Sequence, residues 1–163
     1  LHLVGDGPLL ANYKSRISQS DKLRGRVVFH GFVDRRQISE IASKCHINLL
    51  TSIQEGKPRS PMEAAYMGIP TIATDIDGTR EVVIPGITGY LVSPEDATSL
   101  AKLISTLFFE SDNWKSLSES SRKYAIEHFD ERLVLEKLIT IYRSIEAGEI
   151  NRIIENTKNG LCW

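Results

Sequence analysis

The feature that most constrains the fold is an alternation of short apolar runs with segments of helical period. Strand-like runs separated by helices predict a parallel sheet wrapped by helices, an α/β domain of Rossmann-like type. The first run is Leu1-His2-Leu3-Val4. It ends in Gly5-Asp6-Gly7-Pro8, a turn into a helix whose Leu9, Leu10, Tyr13 and Ile17 share one face. Val27-Val28-Phe29 ends at Gly31, and a helix from about residue 35 to 44 follows, with Ile38, Ile41, Ala42 and Cys45 in helical register. Ile47-Asn48-Leu49-Leu50-Thr51 reads as a buried strand. A short helix is expected from near Pro61 to Gly68. Thr71-Ile72-Ala73 and Gly89-Tyr90-Leu91-Val92 complete the extended pieces.

The second half reads as helical. Ser93 is the expected N-cap of a helix with Pro94 in its first position and Ala97, Leu100, Ala101, Ile104 and Leu107 inward. Trp114, Leu117, Ser121, Tyr124 and His128 mark a second helix. Asp130 caps a third, with Leu135, Leu138, Tyr142 and Ile145 on one side. Residues 148–163 give no clear pattern. The expectation is therefore one domain over residues 1–147 and a tail over residues 148–163.

Charge narrows the partners. With 20 Lys and Arg against 21 Asp and Glu, the net charge is -1. A nucleic-acid partner is disfavoured, because gripping a phosphate backbone needs a concentrated basic face. The two cysteines, Cys45 and Cys162, are too few for a disulfide-stapled fold and suit a reducing cytoplasm. Cys45 is expected to be a buried thiol. No apolar run approaches the roughly 18 residues that cross a bilayer. The chain opens inside a strand without an initiating Met, and reads as a piece whose upstream part is missing.

Chemistry concentrates in Thr51-Ser52-Ile53-Gln54-Glu55-Gly56-Lys57-Pro58-Arg59-Ser60-Pro61-Met62-Glu63-Ala64-Ala65, where a buried strand gives way to a loop and a helix. In open α/β sheets, ligands bind beyond the carboxyl ends of the strands. A helix start there offers free N–H groups and a positive dipole end, which suit a phosphate. Met62, Glu63 and Ala64 are the expected donors, since Pro61 has no N–H. Lys57 and Arg59 add positive charge. Glu55 and Glu63 flank this anion site, and a carboxylate there can accept hydrogen bonds from sugar hydroxyls. Plainer readings stand beside this one. Ser60 and Glu63 fit a capping box, Glu55-Gly56 fits a surface turn, and Lys57 and Arg59 fit ordinary solvated charges.

The sequence closely resembles the family 4 retaining glycosyltransferases of GT-B architecture. The resemblance rests on Glu55, seven intervening residues and Glu63, followed by Ala64-Ala65-Tyr66-Met67-Gly68-Ile69-Pro70. It extends through Thr71-Ile72-Ala73-Thr74-Asp75, Gly78-Thr79-Arg80-Glu81-Val82-Val83 and Gly86-Ile87-Thr88-Gly89-Tyr90-Leu91-Val92. Val4-Gly5-Asp6-Gly7-Pro8 and Val28-Phe29-His30-Gly31-Phe32-Val33 belong to it too, in the family's order.

The resemblance implies a partial nucleotide-sugar-binding domain, the C-terminal half of a GT-B enzyme. Its substrate would be a UDP- or GDP-sugar, with no cofactor and no metal. Glu55 would contact the donor sugar as the catalytic candidate, and Glu63 the ribose hydroxyls. Gly56, Lys57, Pro58, Arg59, Ser60 and Met62 would wrap the diphosphate and sugar. Phe32 and Val33, with Asp34 beside them, would line the base pocket. The Gly5-Asp6-Gly7-Pro8 segment reads as a turn beneath the donor site, and His30 as a partly buried structural histidine. Arg80 and Glu81 read as an ion pair or helix-start feature near the site and are not counted among its residues.

The implied reaction is sugar transfer from a nucleotide diphosphate to an acceptor hydroxyl with retention, in bacterial surface polysaccharide synthesis. Two parts would be missing: the acceptor-binding N-terminal domain and the donor domain's first strand and helix. The missing strand would leave a sheet edge exposed. Any peripheral contact with the inner face of the membrane would fall to the missing half, and this chain alone is expected to turn nothing over. The rivals are a GT-B nucleotide-sugar epimerase and a non-catalytic nucleotide-sugar-binding module.

Overall fold

The computed structural model describes residues 1–147; the tail over residues 148–163, with Cys162, lies outside the described residues. The elements run β1 (His2–Val4), α1 (Leu10–Ser18), β2 (Val28–Gly31), α2 (Arg35–Ala42), β3 (Asn48–Leu50), α3 (Arg59–Tyr66), β4 (Thr71–Thr74), α4 (Asp77–Arg80), β5 (Gly89–Val92), α5 (Ala97–Phe109), α6 (Ser111–His128) and α7 (Glu131–Glu146). All strand pairs are parallel, as the alternation of strands and helices predicts. The strands divide, however, between two sheets rather than one: β1–β2, and β3–β4–β5. β1 and β3 therefore each have a single partner strand.

The second sheet holds the core. β4 is paired on both sides, so all four of its residues are buried. Alternation along a strand sends neighbours to opposite faces. Ile72 joins Val92, Leu107 and Leu117 on one side, while Ala73 joins Val82 and Val83 on the other. Gly89 opens β5 so close to β4 that a Cβ would fall 1.7 Å from the Thr71 carbonyl oxygen. Only glycine permits that approach. No residue of β1, α1, β2 or α2 is fully buried. The Cys45 thiol, expected to be buried, is half-buried just past α2 and donates to the Ile41 carbonyl (3.3 Å).

Helix ends explain where the elements stop and correct some expected starts. At the end of α3, Gly68 takes φ +71°, and the Gly68 and Ile69 N–H groups return to Ala65 (2.9 Å) and Ala64 (2.8 Å). That is a Schellman closure, which favours glycine at this position. The N-cap of α5 is Asp96, not Ser93. Pro94 and Glu95, at φ 65°, form a turn closed by the Asp96 N–H on the Ser93 carbonyl (3.1 Å). The helix then starts at Ala97, where the Asp96 carboxylate accepts from the Ser99 N–H (2.9 Å). Asp130 caps α7 as the sequence indicates. The apolar face of that helix, with Leu135, Leu138, Tyr142 and Ile145, is exposed.

Candidate functional site

The loop after β3 is anchored by a short chain of hydroxyl contacts. The Ser52 hydroxyl donates to Glu55 Oε1 (2.7 Å). The Ser52 carbonyl in turn accepts from the Thr74 hydroxyl at the end of β4. One step further, the fully buried Thr79 hydroxyl lies within reach of the Thr74 carbonyl and the Ile76 carbonyl (2.9 Å), and accepts from the Ile76 N–H (3.2 Å). Against this layer sits Gly78. A Cβ there would lie 2.3 Å from the Gly56 carbonyl oxygen and 2.4 Å from that of Glu55. Glu55 is half-buried, and no cation lies within ion-pair distance of it among the described residues. Its Oε2 has no hydrogen-bond partner there, so one oxygen is held and the other is available.

The helix that follows begins earlier than its sequence suggests. Pro58 is the N-cap of α3, at φ -69° and ψ 133°, and Arg59 is the first helical residue. The first turn carries no side-chain cap, so the Ser60–Glu63 capping box is not formed. Pro61 falls third in the helix, still within the turn where a missing N–H costs nothing. The outward N–H groups are consequently those of Arg59 and Ser60. Those of Met62, Glu63 and Ala64 turn inward by helix geometry, which corrects the expected donor set. Gly56 and Lys57 are exposed in the approach to this turn, and Pro58 is buried beneath it.

Charges around the turn are loosely committed. Lys57 Nζ lies 3.9 Å from Glu81, and Arg59 Nε lies 3.9 Å from Glu63 one helical turn away. All four side chains are largely exposed. Pairs of this kind are worth about 0–1 kcal/mol, so an anion can take either cation at little cost. Arg80 is different. Its guanidinium binds Asp75 (2.6 Å) and Asp77 (3.0 Å), and the hydrogen bond to Asp75 raises its pKa above the ordinary arginine value.

The expected base-pocket residues stand apart from this cluster. Phe32 is 89% exposed and Val33 half-buried, both just beyond β2 on the first sheet. Asp34 caps α2, accepting from the Gln37 N–H (2.9 Å). No hydrogen bond or ion pair among the described residues joins these three to the loop after β3. The Gly5-Asp6-Gly7-Pro8 segment is a turn in which Asp6 accepts from the Gly7 N–H (2.7 Å), and the Gly5 N–H reaches back to Gly31 (2.8 Å). His30 is half-buried and stacks on His2, with Nε2 2.9 Å from the His2 Nδ1.

Sequence reasoning missed the supporting residues Ser52, Gly78 and Thr79, and left Glu81 outside the site. Among the described residues no three His, Cys, Asp or Glu side chains gather as metal ligands. No described helix is long and apolar enough to cross a membrane.

Comparison with known proteins places this geometry in context. Residues 1–127 match the family described as Glycosyl transferases group 1. N-acetyl-alpha-D-glucosaminyl L-malate synthase of Bacillus anthracis is 29% identical over 151 residues, covering 93% of this chain and 39% of the relative. The amylovoran biosynthesis glycosyltransferase AmsK of Erwinia amylovora is 30% identical over 108 residues, covering 63% of this chain and 26% of the relative. Among solved structures, Anabaena HepE in complex with UDP-glucose superposes with a TM-score of 0.79 at 26% identity, over 88% of this chain and 40% of that one. The chain thus spans less than half the length of these relatives.

Proposed function

The chain belongs to the group 1 glycosyl transferases, and we propose that it is the donor-binding part of a retaining enzyme that moves a sugar from a UDP- or GDP-sugar to an acceptor hydroxyl. The observation that carries this reading is the turn between β3 and α3. There an open helix start with two outward N–H groups and two loosely paired cations is flanked by Glu55 and Glu63. The Arg59 and Ser60 N–H groups, with Lys57 and Arg59, suit the diphosphate. Glu55, half-buried with one free oxygen, suits the sugar hydroxyls, and Glu63 the ribose. As the anomeric C–O bond breaks, its electron pair passes to the departing diphosphate, where those donors stabilise it. The acceptor hydroxyl oxygen then bonds the anomeric carbon on the face the leaving group vacates, and its proton passes to the departing diphosphate oxygen.

The unpaired edges of β1 and β3 support a further point. A parallel strand between them would find partners on both sides and join the two sheets. It would set the loop after β2, with Phe32 and Val33, on the edge of the same sheet as the Glu55 loop and α3, as a base pocket requires. In this reading the chain works with a further strand and an acceptor-binding domain, in bacterial surface polysaccharide synthesis at the cytoplasmic side of the membrane. Alone it binds donor weakly and turns nothing over.

The test is titration of the 163-residue chain with UDP, UDP-glucose, UDP-N-acetylglucosamine and GDP-mannose, followed by the melting temperature. A donor raises the melting temperature by mass action, and Glu63→Ala removes most of the rise for nucleotide and nucleotide-sugar alike. A melting temperature unmoved by all four ligands at millimolar concentration refutes donor binding. Sugar transfer by the purified chain refutes its inactivity alone.

A further inference from the structure

We propose that the start of α4, through Gly78 and Thr79, is the seat that fixes the Glu55 carboxylate, and that Gly78 and Ser52 are positioning residues for donor-sugar recognition. The proposal rests on the reading of Glu55 as the sugar-facing group and goes beyond it by naming what aims that group. The peptide joining Glu55 to Gly56 rests directly on the α-carbon of Gly78. A Cβ at Gly78 would stand 2.3 Å from the Gly56 oxygen, 2.4 Å from the Glu55 oxygen and 2.8 Å from the Glu55 carbonyl carbon. All three contacts are to backbone, so no side chain can swing aside to relieve them.

The seat itself is held from below. Thr79 is fully buried, and its hydroxyl ties Thr74 and Ile76 together, which sets where Gly78 lies. Thr74 also donates to the Ser52 carbonyl, and Ser52 donates to Glu55 Oε1 at 2.7 Å. The Glu55 turn is thus gripped twice, at its backbone by Gly78 and at its carboxylate by Ser52. Recognition of a ligand needs its contacting group held to within about 0.5 Å. An added methyl group at Gly78 moves the turn by more than that.

The experiment uses a difference between ligands that a purely structural role would leave alone. Dissociation constants for UDP and UDP-glucose, with GDP and GDP-mannose as a second pair, are measured by ligand-observed NMR on the native chain, Gly78→Ala, Ser52→Ala and Ser52→Thr. Circular dichroism melts check that each is folded. Nucleotide affinity, which falls to Glu63 and the α3 start, stays within about twofold of native in the two Ser52 variants. The affinity of the nucleotide-sugar relative to its nucleotide falls about tenfold in Gly78→Ala and Ser52→Ala. Ser52→Thr, which keeps the hydroxyl, restores most of it. If Gly78→Ala does not fold, Ser52→Ala and Ser52→Thr decide the matter, since they change one half-buried group. A native sugar preference that survives in Ser52→Ala or in a folded Gly78→Ala overturns this proposal and leaves the donor-binding reading standing. Failure of the native chain to bind any of the four ligands overturns both.

Discussion

Replacing Thr79 by Val tests the layer on which the candidate site is built. The side chain is fully buried, and its hydroxyl serves the Ile76 N–H and the Thr74 carbonyl. Valine keeps the shape and removes both hydroxyl bonds, leaving the Ile76 N–H and the Thr74 carbonyl their own mutual hydrogen bond (3.1 Å). Each hydrogen bond lost is worth about 0.5–1.5 kcal/mol, so the expected loss is about 1–3 kcal/mol. For a domain of this size each kcal/mol lowers the melting temperature by roughly 2–4 °C, which predicts a fall of roughly 2–12 °C. Thr79→Ser keeps the hydroxyl and loses one methyl, at about 1 kcal/mol. Urea unfolding followed by circular dichroism compares the three chains. The hydroxyl accounts for the difference between the Val and Ser variants, with Val expected to be the less stable of the two. A Val variant within about 0.5 kcal/mol of native, or a Ser variant as damaged as Val, would refute the reasoning.

Two other perturbations probe the distribution of stability. Ile72→Ala, at a fully buried site against Val92, Leu107 and Leu117, should cost about 2–5 kcal/mol in the same assay. Leu3→Ala on the exposed first sheet should cost under about 1 kcal/mol, and a reversed ranking would put the core elsewhere. Acid should loosen α5 and α7. The Ser99 hydroxyl and N–H hold the Asp96 carboxyl below the ordinary aspartate range, and Arg132 does the same for Asp130. A depressed folded-state pKa gives stability that is complete above the ordinary value of about 3.9 and lost as pH falls through the lower one. Melting temperature should therefore drop more steeply below about pH 4 in the native chain than in the Asp96→Asn, Asp130→Asn double variant, whose amides cap without titrating. Parallel pH profiles for the two chains would remove the caps as the cause.

The elements legible in the sequence are those whose signals are local. Ile72 and Ala73 lie in an apolar run between Pro70 and Asp75, and β4 forms there. Gly68 follows a helical stretch, and the helix closes on it. Where two local signals competed, the stronger geometry prevailed. At α5, Ser93 with Pro94 resembles a helix start, but Pro94 shapes a turn and the charged Asp96 makes the cap. At α3, Ser60 and Glu63 have the spacing of a capping box. Pro58, locked in φ and extended in ψ, lets the helix begin at Arg59 before Ser60 can cap it. The division into two sheets was not legible in this way, because strand pairing joins residues far apart in the chain and leaves no mark on either run alone.

The candidate site divides along the same line. Glu55, Lys57, Arg59 and Glu63 stood out because charged side chains crowd a short loop, and that is visible in one dimension. The residues beneath them are Ser52, Thr74, Gly78 and Thr79, small and chemically unremarked where they stand. Their meaning comes from three segments meeting: the end of β3, the end of β4 and the start of α4. A residue expected to touch a ligand advertises its chemistry, whereas a residue that aims it works through size and a single hydroxyl. It follows that substitutions in the visible group should act mainly on ligand affinity. Those in the hidden group should act on stability and affinity together, because the same contacts that close the core at Thr79 also carry the Glu55 turn.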